Sequence, residues 1–238
     1  MYQGKTVSVI IPTYNEEGSI ARVIEDFFAT GVVDEVVAVD NNARGNTAAE
    51  IRKTRARHIE EKEHQGYGHA LMRGMREATG DLLVMVEADG TFEARDIRKF
   101  LEYSQDFDVV FGTRTSRAAI WSGAFMPFPV RFGNWFVAKF LEVLHNGPTM
   151  TDVGCTYKLI SRKALEAIRD LFLRSPGDGT FSPELMIWLI RRGFKPIEIP
   201  VNFKPRVGDS MYTGSIWKAA VLGARMMVRI AGYRLVKL

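Results

Sequence analysis

An α/β fold with a mostly parallel central sheet is predicted by three features of the chain. Short apolar runs recur at Thr6–Ile11, Asp34–Asp40 and Leu82–Val86, each is followed by a polar loop, and each loop leads into a segment of helical spacing. The runs are nearly continuous rather than alternating, as in strands covered on both faces. Their carboxyl ends carry polar and acidic residues, and in such sheets ligands bind beyond those ends. Tyr14, Glu16, Asp40, Glu87 and Asp89 all fall there, so one crevice is expected.

The first run is expected to stop at Pro12, giving way to the loop Thr13-Tyr14-Asn15-Glu16-Glu17 and a helix over Gly18–Thr30. The second, Val36-Val37-Ala38-Val39, ends in Asp40, and Asn46 or Thr47 is placed to cap the helix after it. His64-Gln65-Gly66-Tyr67-Gly68-His69-Ala70 opens a helix through Ala78. Its glycines lack the third member of a dinucleotide fingerprint, so they either admit a ligand close to the backbone or simply start the helix. His64 and His69 have no matching cluster and read as surface or loop-packing residues.

The third run, Leu82–Val86, flips its polarity within one residue. Glu87 and Asp89 share a face if the strand geometry continues, and two carboxylates that close repel unless a cation lies between them. Oxygen ligands of this kind suit Mg²⁺ or Mn²⁺, held through one or two carboxylates plus substrate phosphates. The plainer alternative is that the pair merely opens a turn.

A helix over Glu93–Gln105 and a strand over Phe107–Thr113 follow. Between Trp121 and Phe140 lie seven of the chain's 26 aromatic residues, where an even spread would give about two. With Arg114, Arg117 and Arg131 nearby they make either an apolar slot with a basic mouth or a helix packed on the sheet. Thr151–Ile160 reads as a strand, Ser161 begins a helix, Phe181–Arg192 is another, and Lys195–Phe203 is the last strand. Lys204–Ser210 is a loop of phosphate-binding residue types. Residues 215–238 are helical, with Lys218, Arg225 and Arg229 on one stripe beside Ile216, Trp217, Val221, Met227 and Val228. Such a helix lies either in a membrane interface or on its own domain with a solvated face.

The 238 residues suffice for one large domain with a full core and a cleft, and 46% hydrophobic with 25% charged residues is ordinary for a globular chain. A formal charge of +4 and a pI of about 9.2 fit a protein that handles phosphates or sits near an anionic membrane; they do not argue for nucleic acid. The single Cys155 excludes an internal disulfide and fits a reducing compartment. Met1–Lys5 shows no secretory pattern, and no run of about 18 uncharged apolar residues occurs. A cytoplasmic location is expected, with peripheral attachment to the cytosolic membrane face left open.

Taken in order, the motifs Val7-Ser8-Val9-Ile10-Ile11-Pro12-Thr13-Tyr14-Asn15-Glu16, Asp40, Gly66-Tyr67-Gly68-His69-Ala70 and Glu87-Ala88-Asp89 resemble the family-2 glycosyltransferases with the GT-A fold. Gly112-Thr113-Arg114, Arg131, Asp152, Gly154, Lys158, Glu184, Glu198-Ile199-Pro200-Val201 and Arg206-x-Gly208-x-Ser210 are similar to the polyprenyl-phosphate sugar transferases, such as dolichyl-phosphate mannose synthase. The likeness covers about residues 5–212.

That resemblance implies a Rossmann-like GT-A domain over 1–214, its nucleotide-sugar half at about 1–113 and its acceptor half at 114–214, followed by a basic amphipathic helix at 215–238. It implies that Pro12, Tyr14, Asn15, Glu16, Val39, Asp40, Gly66 and Ala88 surround a nucleotide-sugar, GDP-mannose or a UDP-hexose, and that Asp89 with Glu87 holds Mg²⁺ or Mn²⁺. It places the acceptor, a polyprenyl phosphate, on Arg114, Arg117, Arg131, Asp152, Lys158 and Glu184, and gives Arg206 and Ser210 to a loop over the donor. Asp89, Arg114, Arg131, Asp152 and Arg206 would be catalytic; the reaction would be an inverting hexose transfer.

Two departures stand out: Glu87 where the family usually has Asp, and Gly154-Cys155-Thr156-Tyr157-Lys158 where Thr-Ser-Gly-Phe-Arg is usual. A phosphate acceptor, largely ionised at pH 7, needs positioning more than a base. A hydroxyl acceptor would need one, with Asp152 or Glu184 as candidates. Transfer to a soluble hydroxyl and nucleotide-sugar binding without turnover are the alternative readings, and a homo-oligomer is compatible with either.

Overall fold

The computed structural model describes residues 1–208 and 215–236. Its single sheet has seven strands in the order β3-β2-β1-β4-β6-β5-β7. They are β1 (Val7–Thr13), β2 (Glu35–Asp40), β3 (Arg57–Glu60), β4 (Leu82–Met85), β5 (Val109–Thr113), β6 (Lys158–Ser161) and β7 (Ile197–Pro200). Neighbours are parallel except where β6 runs antiparallel between β4 and β5. The expected α/β class, with its mostly parallel sheet, is therefore what the chain adopts.

Eight helices cover the sheet: α1 (Ile20–Ala29), α2 (Thr47–Arg52), α3 (Tyr67–Glu77), α4 (Ile97–Tyr103), α5 (Phe128–His145), α6 (Arg162–Ile168), α7 (Phe181–Arg191) and α8 (Ile216–Leu235). Alternation along β1 decides the layers. Val7, Val9 and Ile11 join the core under α1, α2 and α4, while Ile10 faces the core built with α3 and α5–α8. Asn46 occupies the N-cap of α2 but makes no side-chain cap hydrogen bond.

Pro12 does not end β1; it pairs with Val39, and the strand runs on to Thr13. The reason is directional. Ile10 accepts from Val86 N at 3.1 Å toward β4, so Pro12, two residues on, turns its missing N–H toward the same side. There the β1–β4 register has already ended at the pair Ile10–Met85, and no ladder bond is lost. The two strands part at this point and open a cleft.

Two other expectations are corrected. The strand expected over Thr151–Ile160 occupies only Lys158–Ser161, because Thr151 and Asp152 give their N–H groups to the Glu198 carboxylate at 2.8–3.0 Å instead of to a ladder. The basic stripe of α8 is tied to its own domain at two of its three residues: Arg229 lies 3.1 Å from buried Glu184, and Arg225 pairs with Asp178, while Lys218 stays exposed. The exposed side of α8 is largely apolar, with Ile216, Trp217, Val221, Val228 and Leu235 exposed among Lys218 and Arg234.

Candidate active site

A cavity of about 850 Å³ begins where β1 and β4 diverge and ends between α5 and α8. Its sheet end is polar. Pro12, Tyr14, Glu16, Gly66, Glu87, Ala88, Asp89 and Arg206 line it, together with Asn41. Asn15 and Val39 do not: Asn15 turns outward in a left-handed conformation, its Oδ1 accepting from Arg44 N at 2.6 Å, and Val39 is buried in the sheet. Asp40 lies just beneath, accepting from Ala43 N at 2.7 Å, and leaves the lining to Asn41.

Asp89 follows β4 and is buried. Its Oδ1 accepts from Thr91 N at 2.9 Å and from Thr91 Oγ1 at 2.7 Å, while its Oδ2 takes Arg206 Nη1 at 2.6 Å. Arg206 extends its other arm to Glu16. Glu87 is hydrogen-bonded to Asp89, and burial, then the Asp89 charge, pushes its carboxyl well above the usual carboxylate range. Burial likewise raises Glu16 to about 7, against the pull of Arg206.

Among the described residues no three His, Cys, Asp or Glu side chains gather as a metal cage. Two carboxylates and no nitrogen or sulfur ligand fit Mg²⁺ or Mn²⁺ completing its shell with substrate phosphate oxygens. Arg206 is held over the pair by a strap, since Lys204 N donates to Thr91 O at 2.7 Å and Val207 N to Asp89 O at 3.0 Å. Ser210 lies outside the described residues.

Of the residues expected at the acceptor, only Arg114 reaches the cavity. It is fixed by a two-pronged pair with Asp152, Nε and Nη2 each at 2.9 Å from a carboxylate oxygen. Burial opposes the charge on both, but Arg114 holds Asp152 below the usual carboxylate range. Asp152 is thus fully buried, with both carboxylate oxygens engaged by Arg114. A Cβ on Gly154 would lie 2.8 Å from Asn134 Oδ1 and 3.0 Å from Arg114 Nη2, so the glycine keeps this corner open.

The other residues expected at the acceptor lie outside the cavity lining. Arg131 stacks 5.9 Å from the Phe128 ring centre, outside the lining, and Arg117 is exposed on a short turn. Lys158 is buried beneath the cavity floor, donating to Ser182 Oγ at 2.9 Å and to Cys155 O. Glu184 secures α8, pairing with Arg229 and accepting from Ser175.

Burial raises Glu184 from 4.5 to about 7, so the folded protein binds more protons there than the unfolded chain. Its contribution is therefore greatest below about 4.5 and is lost as pH rises through 7. Glu184→Gln is expected to flatten the fall in melting temperature between pH 5 and pH 8; an unchanged slope would refute this.

Residues that sequence reasoning missed are Asn41, Tyr67, Asn134 and Thr13. Asn41 ties the end of β2 to the start of α3, with Nδ2 on His64 O at 2.8 Å and Oδ1 taking Gly66 N at 2.7 Å. Gly66 and Gly68 serve packing: the N–H groups of Gly68 and His69 donate to Gly177 O at 2.8 and 3.1 Å, and a Cβ on Gly66 would meet that oxygen at 2.3 Å. The only sequence signal for Asn41 was its place after a strand end.

The far end of the cavity is apolar. Phe125, Met126, Val130, Phe136 and Val137 face Ile216, Ala219, Leu222, Gly223 and Met226 across it. Trp121, Phe125, Phe128, Phe132, Trp135 and Phe136 remain exposed around its mouth, so the crowded aromatics form a slot and a surface rather than a buried helix face.

The low-salt glycan biosynthesis hexosyltransferase Agl6 of Haloferax volcanii is 30% identical over 214 residues, covering 86% of this chain and 49% of that protein. The chain thus spans about half the length of that relative. A dolichyl-phosphate hexose transferase of the same organism is 29% identical over 211 residues, covering 88% of this chain and 87% of its own. In fold, glucosyl-3-phosphoglycerate synthase from Mycobacterium tuberculosis in complex with Mn²⁺, UDP and phosphoglyceric acid superposes with a TM-score of 0.74 at 16% identity, over 99% of this chain and 80% of that one. The sequence profile described as Glycosyl transferase family 2 matches residues 8–169, and the chain belongs to that family.

Proposed function

We propose that this protein transfers a hexose from a nucleotide-sugar to a polyprenyl phosphate at a membrane surface, with inversion. The observation that carries the reading is the cavity itself. One end offers carboxylates and Arg206 to a diphosphate, and the other is an apolar slot that opens between two helices onto an exposed aromatic face. A relative bearing the name dolichyl-phosphate hexose transferase supports the acceptor class.

Tyr14, Glu16 and Asn41 would receive the nucleoside. Asp89, with Glu87 beside it, would hold Mg²⁺ or Mn²⁺, which supplies positive charge against the departing diphosphate. Arg206 adds a second cation there. Arg114, rigid on Asp152, would orient the acceptor phosphate, whose oxygen forms a bond to the anomeric carbon as the bond to the diphosphate breaks. No base is needed for an oxygen already ionised.

The outer face fits a bilayer. Helix α8 exposes Lys218 and Arg234 beside its apolar residues, and Arg225, though paired with Asp178, is half exposed. Anionic headgroups complement this, and exposed Trp and Phe suit the interface beneath them. No helix of the described residues is long and apolar enough to cross a membrane.

The test is incubation with Mn²⁺, labelled GDP-mannose or UDP-glucose, and a short polyprenyl phosphate in detergent. Butanol-extractable label is expected. Label appearing only on water-soluble phosphoglyceric acid would redirect the acceptor to a soluble phosphate, and donor binding without product on either would overturn transfer. Replacing Phe132, Trp135 and Trp217 together by Ser, all outside the cavity lining, should abolish cosedimentation with phosphatidylcholine–phosphatidylglycerol vesicles while sparing transfer in detergent. Retained cosedimentation would place the membrane contact elsewhere.

A further inference from the structure

We infer that Arg206 is the resident counter-cation of Asp89 and makes metal binding conditional on the diphosphate. The inference rests on the donor site proposed above and assigns it an order of loading.

Three observations carry it. The Asp89 oxygens are both engaged: Oδ1 by the Thr91 N–H and hydroxyl, Oδ2 by Arg206 Nη1 at 2.6 Å. A divalent ion reaching Asp89 must therefore take Oδ2 from the guanidinium, and it does so against a like charge a few ångströms away. Next, Arg206 has capacity to spare, since its Nε is buried without a hydrogen-bond partner among the described residues while its other arm rests on Glu16. A buried N–H left unpaired is costly, and a phosphate oxygen is the acceptor that satisfies it best. Finally, the strap that carries Arg206 is anchored through its backbone, by Lys204 N on Thr91 O and Val207 N on Asp89 O. The side chain can change partner while the strap stays in place.

The exchange follows from these contacts. A diphosphate entering the cleft offers oxygens to Arg206, the guanidinium turns from Asp89 toward them, and the freed Oδ2 becomes a metal ligand. A bare ion gets no such help. Metal and nucleotide should then bind with mutual reinforcement, which is reciprocal by linkage.

Calorimetry with Mn²⁺ alone, and with UDP and then GDP present, tests this on the wild-type protein and on Arg206→Gln. In the wild type, nucleotide should tighten Mn²⁺ binding by roughly 10- to 100-fold, within the usual range of such couplings. In Arg206→Gln, bare Mn²⁺ should bind roughly tenfold more tightly than in the wild type, while the enhancement by nucleotide shrinks by at least that factor. The two shifts have opposite signs, and a merely structural or merely phosphate-binding Arg206 would not produce both. Unchanged or weaker bare-Mn²⁺ binding in a variant that melts cooperatively overturns the inference.

Should Arg206→Gln not fold, the wild-type titration still decides: independent binding of metal and nucleotide sinks the proposal, and strong reinforcement supports it. Arg206→Lys, a compact charge able to hold one carboxylate, should fall between. Failure of the exchange with intact sugar transfer leaves the functional reading standing. Intact exchange with no transfer to any acceptor would sink that reading alone.

Discussion

Asp89→Asn is expected to lower sugar transfer by about 10²–10³-fold, the usual cost of losing one preorganised electrostatic element at a reacting centre. The fold should survive. The amide oxygen of Asn can still accept from Thr91, which preserves the turn after β4, and Arg206 retains Glu16. What disappears is the negative charge that a divalent ion requires. Calorimetry should accordingly register little Mn²⁺-assisted nucleotide uptake in a variant that still melts cooperatively. Unaltered uptake would mean that Asp89 is a turn residue and nothing more.

The largest effect on stability is expected at a residue that touches no substrate. Asp152→Asn should cost about 3–5 kcal/mol in urea unfolding, the range found when one partner of a buried ion pair is removed. Side chains of Asp152 and Arg114 are 0% and 11% exposed, so little solvent screens the orphaned guanidinium. The substitution also loses the charge that receives Arg114 N, Nε and Nη2. Acceptor KM should rise together with the loss of stability, because Arg114 loses its orientation. A variant as stable as the wild type would show that the pair is not the anchor described.

The architecture was largely legible. Val9–Ile11, Val36–Val39, Leu82–Met85 and Val109–Phe111 are apolar without interruption, and burial on both faces leaves little else for such runs to do. Strand β3 was not legible: Arg57-His58-Ile59-Glu60 sits at the sheet edge, half-buried, with one apolar side chain in four. The polar end of the cavity was also readable, since its residues sit at fixed offsets from strand ends, and the topology of a parallel sheet brings strand ends together.

The acceptor end was not. Residue type marked Arg114, Arg117 and Arg131 alike as phosphate ligands, yet only tertiary packing decides that Arg114 is braced by Asp152 while Arg131 leans on Phe128. Helical periodicity found the stripe of Lys218, Arg225 and Arg229 but not its direction. For Arg225 and Arg229 that depended on Asp178 and Glu184, acids 47 and 45 residues away in the chain.

The slot between α5 and α8 divides the protein's labour. Its walls come from helices that contribute nothing to the carboxylate end, and they meet where Gly223 lets Val137 approach to 4.0 Å of a would-be Cβ. On the proposed function, bulk added at position 223 would shorten the acceptor tail that fits without retuning the choice of nucleotide, which would make acceptor length and donor identity separately adjustable.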